Sequence, residues 1–168
     1  MFRRILPFTV IVAVSMGGCA VQNSASIRGR SNARLAIGSV HTVRTTAYTC
    51  SEPGGAHSAV GTRLCDTNTK GRIKSAASDW SRYPLGTEFK IVSTGEVYEI
   101  CDYGSALVGK NTIDLYKSSR HEMRRWGARY VEIKILRWGS PEKSRKVLAP
   151  RTRYSHVRMM LASLQGQN

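Results

Sequence analysis

The chain has 168 residues, which is enough for one domain of ordinary size and too few for two. Its 26 Lys and Arg against 11 Asp and Glu give a formal net charge of +15, so an anionic partner or surface is expected. Nucleic acid and the polyanionic material of a cell envelope both satisfy this charge. Charge alone therefore does not choose between them.

The first nineteen residues predict export. Arg3 and Arg4 precede an apolar run at residues 5–14 that is too short to span a bilayer. Small residues at 15–18 then lead to Cys19, in a pattern that resembles a bacterial lipobox, where the signal is cut before the cysteine and the sulfur carries a lipid. We expect a lipoprotein signal peptide at residues 1–18 and a lipid anchor on Cys19, which holds the chain in the periplasm, at the outer rather than the inner membrane. An ordinary signal peptide with an incidental cysteine is the alternative.

Export argues against a nucleic-acid partner, and none is expected. Residues 19–40 are rich in Ser, Asn, Arg and Gly, which is typical of a flexible tether. With Cys19 lipidated, the candidates for a disulfide are Cys50, Cys65 and Cys101, and one bridge with one free thiol is expected in an oxidising envelope. The sequence does not assign the pairing. Scattered histidines and the lack of a Cys-x-x-Cys spacing favour no metal site.

From residue 41 the chain changes to short runs of β-branched and aromatic residues, which predict strands. The runs lie at residues 42–49, 73–78, 88–92, 97–101, 113–116 and 129–136. A helix is expected after Ser119, because Ser119 and Glu122 have capping-box spacing and Gly127 supplies a stop. About six short strands with one or two short helices predict a small mostly-β barrel over residues 41–138.

Residues 139–168 are strongly basic and are expected to be a tail of the domain. Val157, Met160, Leu161 and Leu164 fall at helical spacing, which favours a short amphipathic helix lying on a membrane or on the domain. A disordered basic tail attracted to an anionic polymer is the alternative. The sequence leaves both open.

Asp114 is the first candidate for chemistry. It lies between Ile113 and Leu115, so on a strand its side chain faces away from both, into solvent or into a polar cleft with apolar walls. In such a cleft the loss of hydration would let the carboxyl hold a proton at neutral pH. A general acid for glycoside cleavage needs this property.

Asp102 and Asp79 are the other two candidates. Asp102 begins a turn with Gly104, so we expect it to accept backbone N–H bonds and shape the loop. Asp79 lies ahead of the turn at Pro84, and a structural role is expected for it as well.

Five separated motifs occur in order along residues 42–137. They are Thr46-Ala47-Tyr48; Gly61-Thr62; Ala77-Ser78-Asp79 with Pro84-Leu85-Gly86-Thr87; Asp102-Tyr103-Gly104-Ser105-Ala106-Leu107-Val108-Gly109; and Ile113-Asp114-Leu115-Tyr116. Together they resemble the three-aspartate (3D) domain. That domain is shared by the membrane-bound lytic transglycosylase A family and by stationary-phase survival and resuscitation-type muralytic proteins.

The resemblance implies a double-psi β-barrel that cleaves the MurNAc–GlcNAc bond of peptidoglycan without water and leaves a 1,6-anhydro sugar. By position, Asp114 matches the family's catalytic acid/base, and Asp102 and Asp79 match its two supporting aspartates. The residues expected along the substrate groove are Thr46, Tyr48, Thr62, Gly104 and Gly109. A non-catalytic envelope protein that binds peptidoglycan is the alternative function. We expect a monomer that uses no cofactor.

Overall fold

The computed structural model describes residues 36–51, 55–67 and 73–166. The expected signal peptide, the lipidation site Cys19 and most of the expected tether lie outside these residues. Those three features therefore stay predictions.

Six strands and three α-helices make up the described part of the chain. The strands are β1 Val40–Tyr48, β2 Lys74–Ser78, β3 Glu88–Ile91, β4 Val97–Asp102, β5 Thr112–Tyr116 and β6 Arg129–Arg137. The helices are α1 Arg120–Trp126, α2 Pro141–Leu148 and α3 Ser155–Gln165, with single 3₁₀ turns at Ser105–Leu107 and Ala149–Arg151.

The strands close into a barrel in the order β1-β5-β2-β4-β3-β6, so the expected mostly-β barrel is confirmed. Two pairs are parallel, β1 with β5 and β2 with β4, and the remaining pairs are antiparallel. The interleaved order agrees with a double-psi barrel. Strand alternation sets the core: Ile113 and Leu115 of β5, and Ile133 and Ile135 of β6, are fully buried inside the barrel.

Helix α1 begins and ends where the sequence predicts. The Ser119 side chain accepts a hydrogen bond from the backbone N–H of Glu122 at 3.2 Å. Gly127 has a φ of 62° and donates its N–H to the carbonyl of Met123 at 3.0 Å. A positive φ favours glycine, which is why the helix stops there.

Residues 141–165 form α2 and α3, which pack on the barrel. Leu148 of α2 and Val157, Met160 and Leu164 of α3 are fully buried and belong to the same core cluster as the barrel interior. Of the alternatives for this region, the structure therefore has a helix that lies on the domain. Helix α2 is one helix more than expected, although Ser140 at its N-cap and Pro141 in its first turn mark its start. Among the described residues, no helix has the length and hydrophobicity needed to cross a membrane.

Gly139 joins β6 to α2 and lies against the turn at residues 84–87. Its N–H donates to the Thr87 hydroxyl at 3.0 Å, the N–H of Ser140 donates to the Leu85 carbonyl at 2.9 Å, and the N–H of Leu85 donates to the Ser144 hydroxyl at 2.9 Å. These contacts hold the C-terminal helices to the turn that follows Asp79.

Candidate functional site

Asp114 lies on the outer face of the barrel. Its neighbours Ile113 and Leu115 fill the interior, so the half-buried Asp114 side chain points the other way. On the parallel strand β1, Thr46 is the register partner of Asp114, and its hydroxyl donates a hydrogen bond of 2.6 Å to Asp114 Oδ1. This short bond fixes one oxygen of the carboxyl group.

A β-bulge brings Asp102 into the same row as Asp114. Ala77 of β2 is the register partner of Asp114 on one side and of Asp102 on the other. The register between β2 and β4 shifts between Ala76 and Ala77, and without the shift Cys101 would face Ala77 instead. Two strand spacings put the Cα atoms of the two aspartates roughly 10 Å apart. The row across the outer face therefore reads Thr46, Asp114, Ala77, Asp102.

Burial raises the pKa of Asp102 above its ordinary value. Four partners act against this rise: the backbone N–H groups of Tyr103 and Ala59, the Tyr48 hydroxyl and the Arg151 guanidinium. The two N–H groups donate to Asp102 Oδ1 at 2.9 and 3.0 Å. Desolvation is the largest cause, so Asp102 keeps a proton to a higher pH than a carboxyl group in water does.

Tyr48, at the end of β1, lies within electrostatic range of both carboxylates. Its ring packs edge-on against Tyr116, with centroids 5.5 Å apart. Its hydroxyl is buried near the Asp102 carboxyl, but it forms no hydrogen bond of acceptable geometry with any described residue. Burial, followed by the nearby charges of Asp102 and others including Asp114, raises the pKa of the phenol, so it stays protonated. The site thus offers a preformed O–H donor beside two carboxyl groups.

Asp79 follows β2, two residues after Ala77, and its carboxyl binds the loops around it. Its side chain is 2% exposed. Oδ1 accepts from the Ser81 N–H at 2.9 Å and the Ser81 hydroxyl at 2.7 Å, and Oδ2 accepts from the Gly109 N–H at 2.8 Å. Gly109 has a φ of 79°, a conformation that favours glycine. These contacts indicate a structural role for both residues, Asp79 and Gly109.

Thr62 and Gly104 also lie outside the row. The Thr62 hydroxyl shares a 2.7 Å hydrogen bond with the Ser58 hydroxyl, and Thr62 lines a separate cavity of about 320 Å³ with Cys65 and Cys101. The backbone of Gly104 is extended, and a Cβ atom at this position would meet only the Leu107 side chain. Of the expected groove residues, Thr46 and Tyr48 are the two that the fold brings to the carboxylates.

The structure contains no disulfide among Cys50, Cys65 and Cys101, which are free thiols. Burial raises the pKa of the Cys101 thiol to about 11, so it stays neutral. Cys65 Sγ donates to the Thr67 carbonyl at 3.2 Å. The expected bridge stays a prediction. The described residues hold no cluster of three or more His, Cys, Asp and Glu side chains that would bind a metal ion.

Arg151 reaches the site from the C-terminal region. Its guanidinium donates to the Ala59 carbonyl at 2.7 Å and to the Tyr103 hydroxyl at 3.3 Å. Ala59 and Tyr103 are the two residues whose N–H groups bind Asp102 Oδ1. Arg151 therefore positions both neighbours of Asp102. The sequence offers no signal for this role, because Arg151 is one of several cations in a basic stretch.

Replacing Asp102 with Asn should change how stability depends on pH. Because the pKa of Asp102 is raised on folding, its contribution to stability is complete below the unfolded pKa, near the ordinary value of 3.8, and is lost as the pH rises through the folded pKa. Asn does not titrate but can still accept the two N–H bonds. The melting temperature of Asp102→Asn, minus that of the wild type, should therefore increase from pH 3.5 to pH 7.

Glu132→Gln, which removes an exposed acid on β6, is the control. Its melting-temperature difference should change less over the same range. A difference for Asp102→Asn that stays flat or falls with pH would contradict the raised pKa.

Replacing Arg151 with Gln should loosen the loop at residues 55–67 and raise the pKa of Asp102 further. The change removes a positive charge near the carboxylate and both donors that hold Ala59 and Tyr103. Amide hydrogen exchange of the loop and a ¹³C titration of the Asp102 carboxyl measure the two effects. Arg151→Lys should restore part of the pKa change, because it keeps the charge, but little of the loop protection, because it lacks the guanidinium fork.

Lys143→Gln removes one positive charge from an exposed position on α2 and is the matched control. An Asp102 titration that is the same in Arg151→Gln and Lys143→Gln would show that Arg151 does not act on the carboxyl group.

Fold and site together define a small closed β-barrel that carries two carboxyl groups, a phenol and a threonine hydroxyl on its outer face. No family model matches the chain. The chain is 37% identical over 116 residues to the putative cell wall shaping protein YabE of Bacillus subtilis (strain 168), a region that covers 68% of this chain and 26% of YabE. It is 34% identical over 95 residues to the cell wall-binding protein YocH of the same organism, which covers 56% of this chain and 32% of YocH.

The chain thus spans about a quarter to a third of the length of these two relatives. Both are named for the cell wall, and the similarity therefore indicates a cell-wall-related family.

Proposed function

We propose that the protein is a lytic transglycosylase that cleaves the MurNAc–GlcNAc bond of peptidoglycan and leaves 1,6-anhydroMurNAc ends. The observation that carries the proposal is the row in which Asp114, held by Thr46, faces Asp102 across Ala77. The two cell-wall relatives support peptidoglycan as the substrate.

In the proposed reaction Asp114 is the general acid and then the general base. Its carboxyl group donates a proton to the glycosidic oxygen as the bond from that oxygen to C1 of MurNAc breaks, and GlcNAc leaves with a free 4-hydroxyl group. The 6-hydroxyl group of the same MurNAc attacks C1, and its proton passes to the Asp114 carboxylate. Asp114 thus regains the proton that it donated, and the reaction consumes no water.

This chemistry explains why one carboxyl group at the bond suffices. A glycoside hydrolase pairs two carboxyl groups, because the second must activate water or attack the sugar. Here the attacking hydroxyl belongs to the substrate. Asp102 and Tyr48 then act as neighbours: burial raises the pKa of the Asp102 carboxyl, which disfavours a second charge near Asp114, and the Tyr48 phenol stays protonated.

The proposed setting follows from the predicted N-terminus. A lipid on Cys19 would anchor the barrel to a membrane, the outer membrane of an envelope with a periplasm, within reach of the glycan strands. The protein would act there as a monomer.

A non-catalytic protein that binds peptidoglycan is the second candidate. It is favoured by the name of YocH, a cell wall-binding protein, and by the net charge of +15, which attracts an anionic polymer.

Product analysis separates the candidates. The mature protein is incubated with purified peptidoglycan, and the soluble products are identified by mass spectrometry. A transglycosylase releases anhydro-muropeptides, which are lighter by one water than the products of a hydrolase. A binding protein releases none and sediments with peptidoglycan in a manner that high salt weakens. Reducing-end products in place of anhydro products would overturn the proposed reaction.

A further inference from the structure

A basic groove runs along the outer faces of β1, β5 and β6, next to the row that contains Asp114. It is an open surface groove of about 560 Å³. Its lining residues are Arg44, Lys110, Asn111, Thr112 and Tyr130. None of them belongs to the site described above.

The groove continues the row of Thr46 and Asp114 along the strands. Arg44 and Thr112 are register partners on β1 and β5, and each lies two residues before a member of the row. Residues two apart on a strand face the same side and are roughly 7 Å apart. On β6, Tyr130 is the register partner of Arg44, so the groove extends to a third strand. A polymer lying on Asp114 along the strand direction would therefore also occupy the groove.

The charge of the groove is uncompensated. Arg44 and Lys110 are exposed, and neither side chain forms an ion pair or a hydrogen bond with any residue that the structure describes. No acid is among the lining residues. Tyr130 is 74% exposed, which is unusual for so large a ring. Two open cations beside an open aromatic ring are suited to an anionic ligand with an apolar face.

The floor of the groove is fixed before a ligand arrives. The Asn111 side-chain oxygen accepts from the Tyr83 hydroxyl at 2.9 Å, and the Asn111 carbonyl accepts from the Arg44 N–H at 3.2 Å. The Lys110 N–H donates to the Leu107 carbonyl at 3.0 Å. Such a preformed surface binds at a lower cost in conformational entropy.

We propose that the basic groove is a subsite for a sugar that carries a carboxylate. This sugar lies on the same glycan strand as the bond that meets Asp114, next to that bond. This deepens the proposed function and rests on it. The Tyr130 ring packs on the C–H face of the sugar, and Arg44 and Lys110 bind the carboxylate. In peptidoglycan the carboxylate belongs either to the lactyl group of MurNAc or to the peptide attached to it. The chemistry is the same for both, and the ligands tested below separate them.

The test measures binding without cleavage. Mature Asp114→Asn protein is titrated by calorimetry with three soluble ligands: GlcNAc oligomers, which carry no carboxylate; peptide-free GlcNAc–MurNAc oligomers; and the same oligomers with peptides. The carboxylate-bearing ligands should bind roughly 10-fold more tightly than GlcNAc oligomers, as expected for a charge-assisted hydrogen bond. If the gain in affinity is already present without peptides, the bound carboxylate is that of the lactyl group. If the gain in affinity needs peptides, the bound carboxylate is that of the peptide.

Charge-removing variants in the same background locate the subsite. Arg44→Gln and Lys110→Gln should each weaken binding of the carboxylate ligands roughly 10-fold and leave GlcNAc oligomers unchanged. Tyr130→Ala should weaken binding of all three ligands. Lys90→Gln, at an exposed position on β3 that does not line the groove, is the matched control and should change nothing.

Two results overturn the subsite. One is equal affinity for ligands with and without carboxylates. The other is a loss of affinity for the carboxylate ligands in Arg44→Gln that is no larger than the loss in Lys90→Gln. If wild-type protein releases anhydro products while either result holds, the proposed transglycosylase activity is supported and the proposed subsite is wrong. If it releases none while carboxylate binding depends on Arg44 and Lys110, the subsite stands and the transglycosylase falls.

Discussion

Asp114→Asn is expected to slow the release of anhydro-muropeptides by about 10²- to 10⁴-fold, the range that a general acid or base contributes. An amide has no proton to give to the glycosidic oxygen and does not take one from the 6-hydroxyl group. It has nearly the same size as the carboxyl group, and its oxygen can still accept the hydrogen bond from Thr46. The fold should therefore be kept, and the measurement is the product rate together with the melting temperature.

Two controls make this result specific. Glu132→Gln removes an exposed acid from β6 and should keep the wild-type rate. Thr46→Val removes the 2.6 Å hydrogen bond and should reduce the rate less than Asp114→Asn does, because the acid itself remains. Wild-type rates in Asp114→Asn would sink the assignment of Asp114, and a loss of rate together with a much lower melting temperature would point to misfolding.

Gly139→Ala is expected to destabilise the domain by about 3 kcal/mol or more, at the upper end of overpacking. A Cβ atom at this position would lie closer than 3.0 Å to the carbonyl oxygens of Pro84 and Leu85 and to the nitrogen of Thr87. All three are backbone atoms, so no flexible side chain can move aside. The turn and the start of α2 would have to separate, with loss of the bonds between them. The melting temperature should fall by roughly 10 °C.

Gly104→Ala is the matched control. Gly104 has an extended backbone with a φ of −135°, and a Cβ there would meet only the Leu107 side chain, at 3.5 Å. The melting temperature should change by no more than a few degrees. Equal stability of Gly139→Ala and the wild type would mean that the C-terminal helices do not dock on the turn at residues 84–87.

The strands of the barrel were predictable because each has a strong local signal. Alternating Val131, Ile133 and Ile135 predicted one buried face of β6, and Ile133 and Ile135 are fully buried. The capping box at Ser119 and the stop at Gly127 predicted α1 at its observed bounds. Helix α2 also has a local start signal, Ser140 followed by Pro141. Its place on the barrel was not predictable, since it comes from contacts of Gly139 and Ser140 with residues far away in the sequence.

The site was predictable in its residues but not in its arrangement. The motifs singled out Thr46, Tyr48, Asp102 and Asp114, and the fold brings these four together. What puts Asp102 rather than Cys101 opposite Ala77 is a bulge, which depends on how β2 and β4 pair and leaves no mark in either sequence. The role of Arg151 depends on a contact across 92 residues with Ala59, which composition and periodicity do not report.

The order of strands in the barrel has a consequence for folding kinetics. Among the described strands, β1 pairs with β5 and β6, and the hydrogen bonds from Thr45 and Thr46 to Arg129 and Asp114 span 84 and 68 residues. Chains dominated by such distant pairings fold in milliseconds to seconds, far more slowly than helical bundles. The barrel cannot close until nearly the whole domain has been synthesised. Such late closure of the barrel is compatible with the export that the N-terminal sequence predicts.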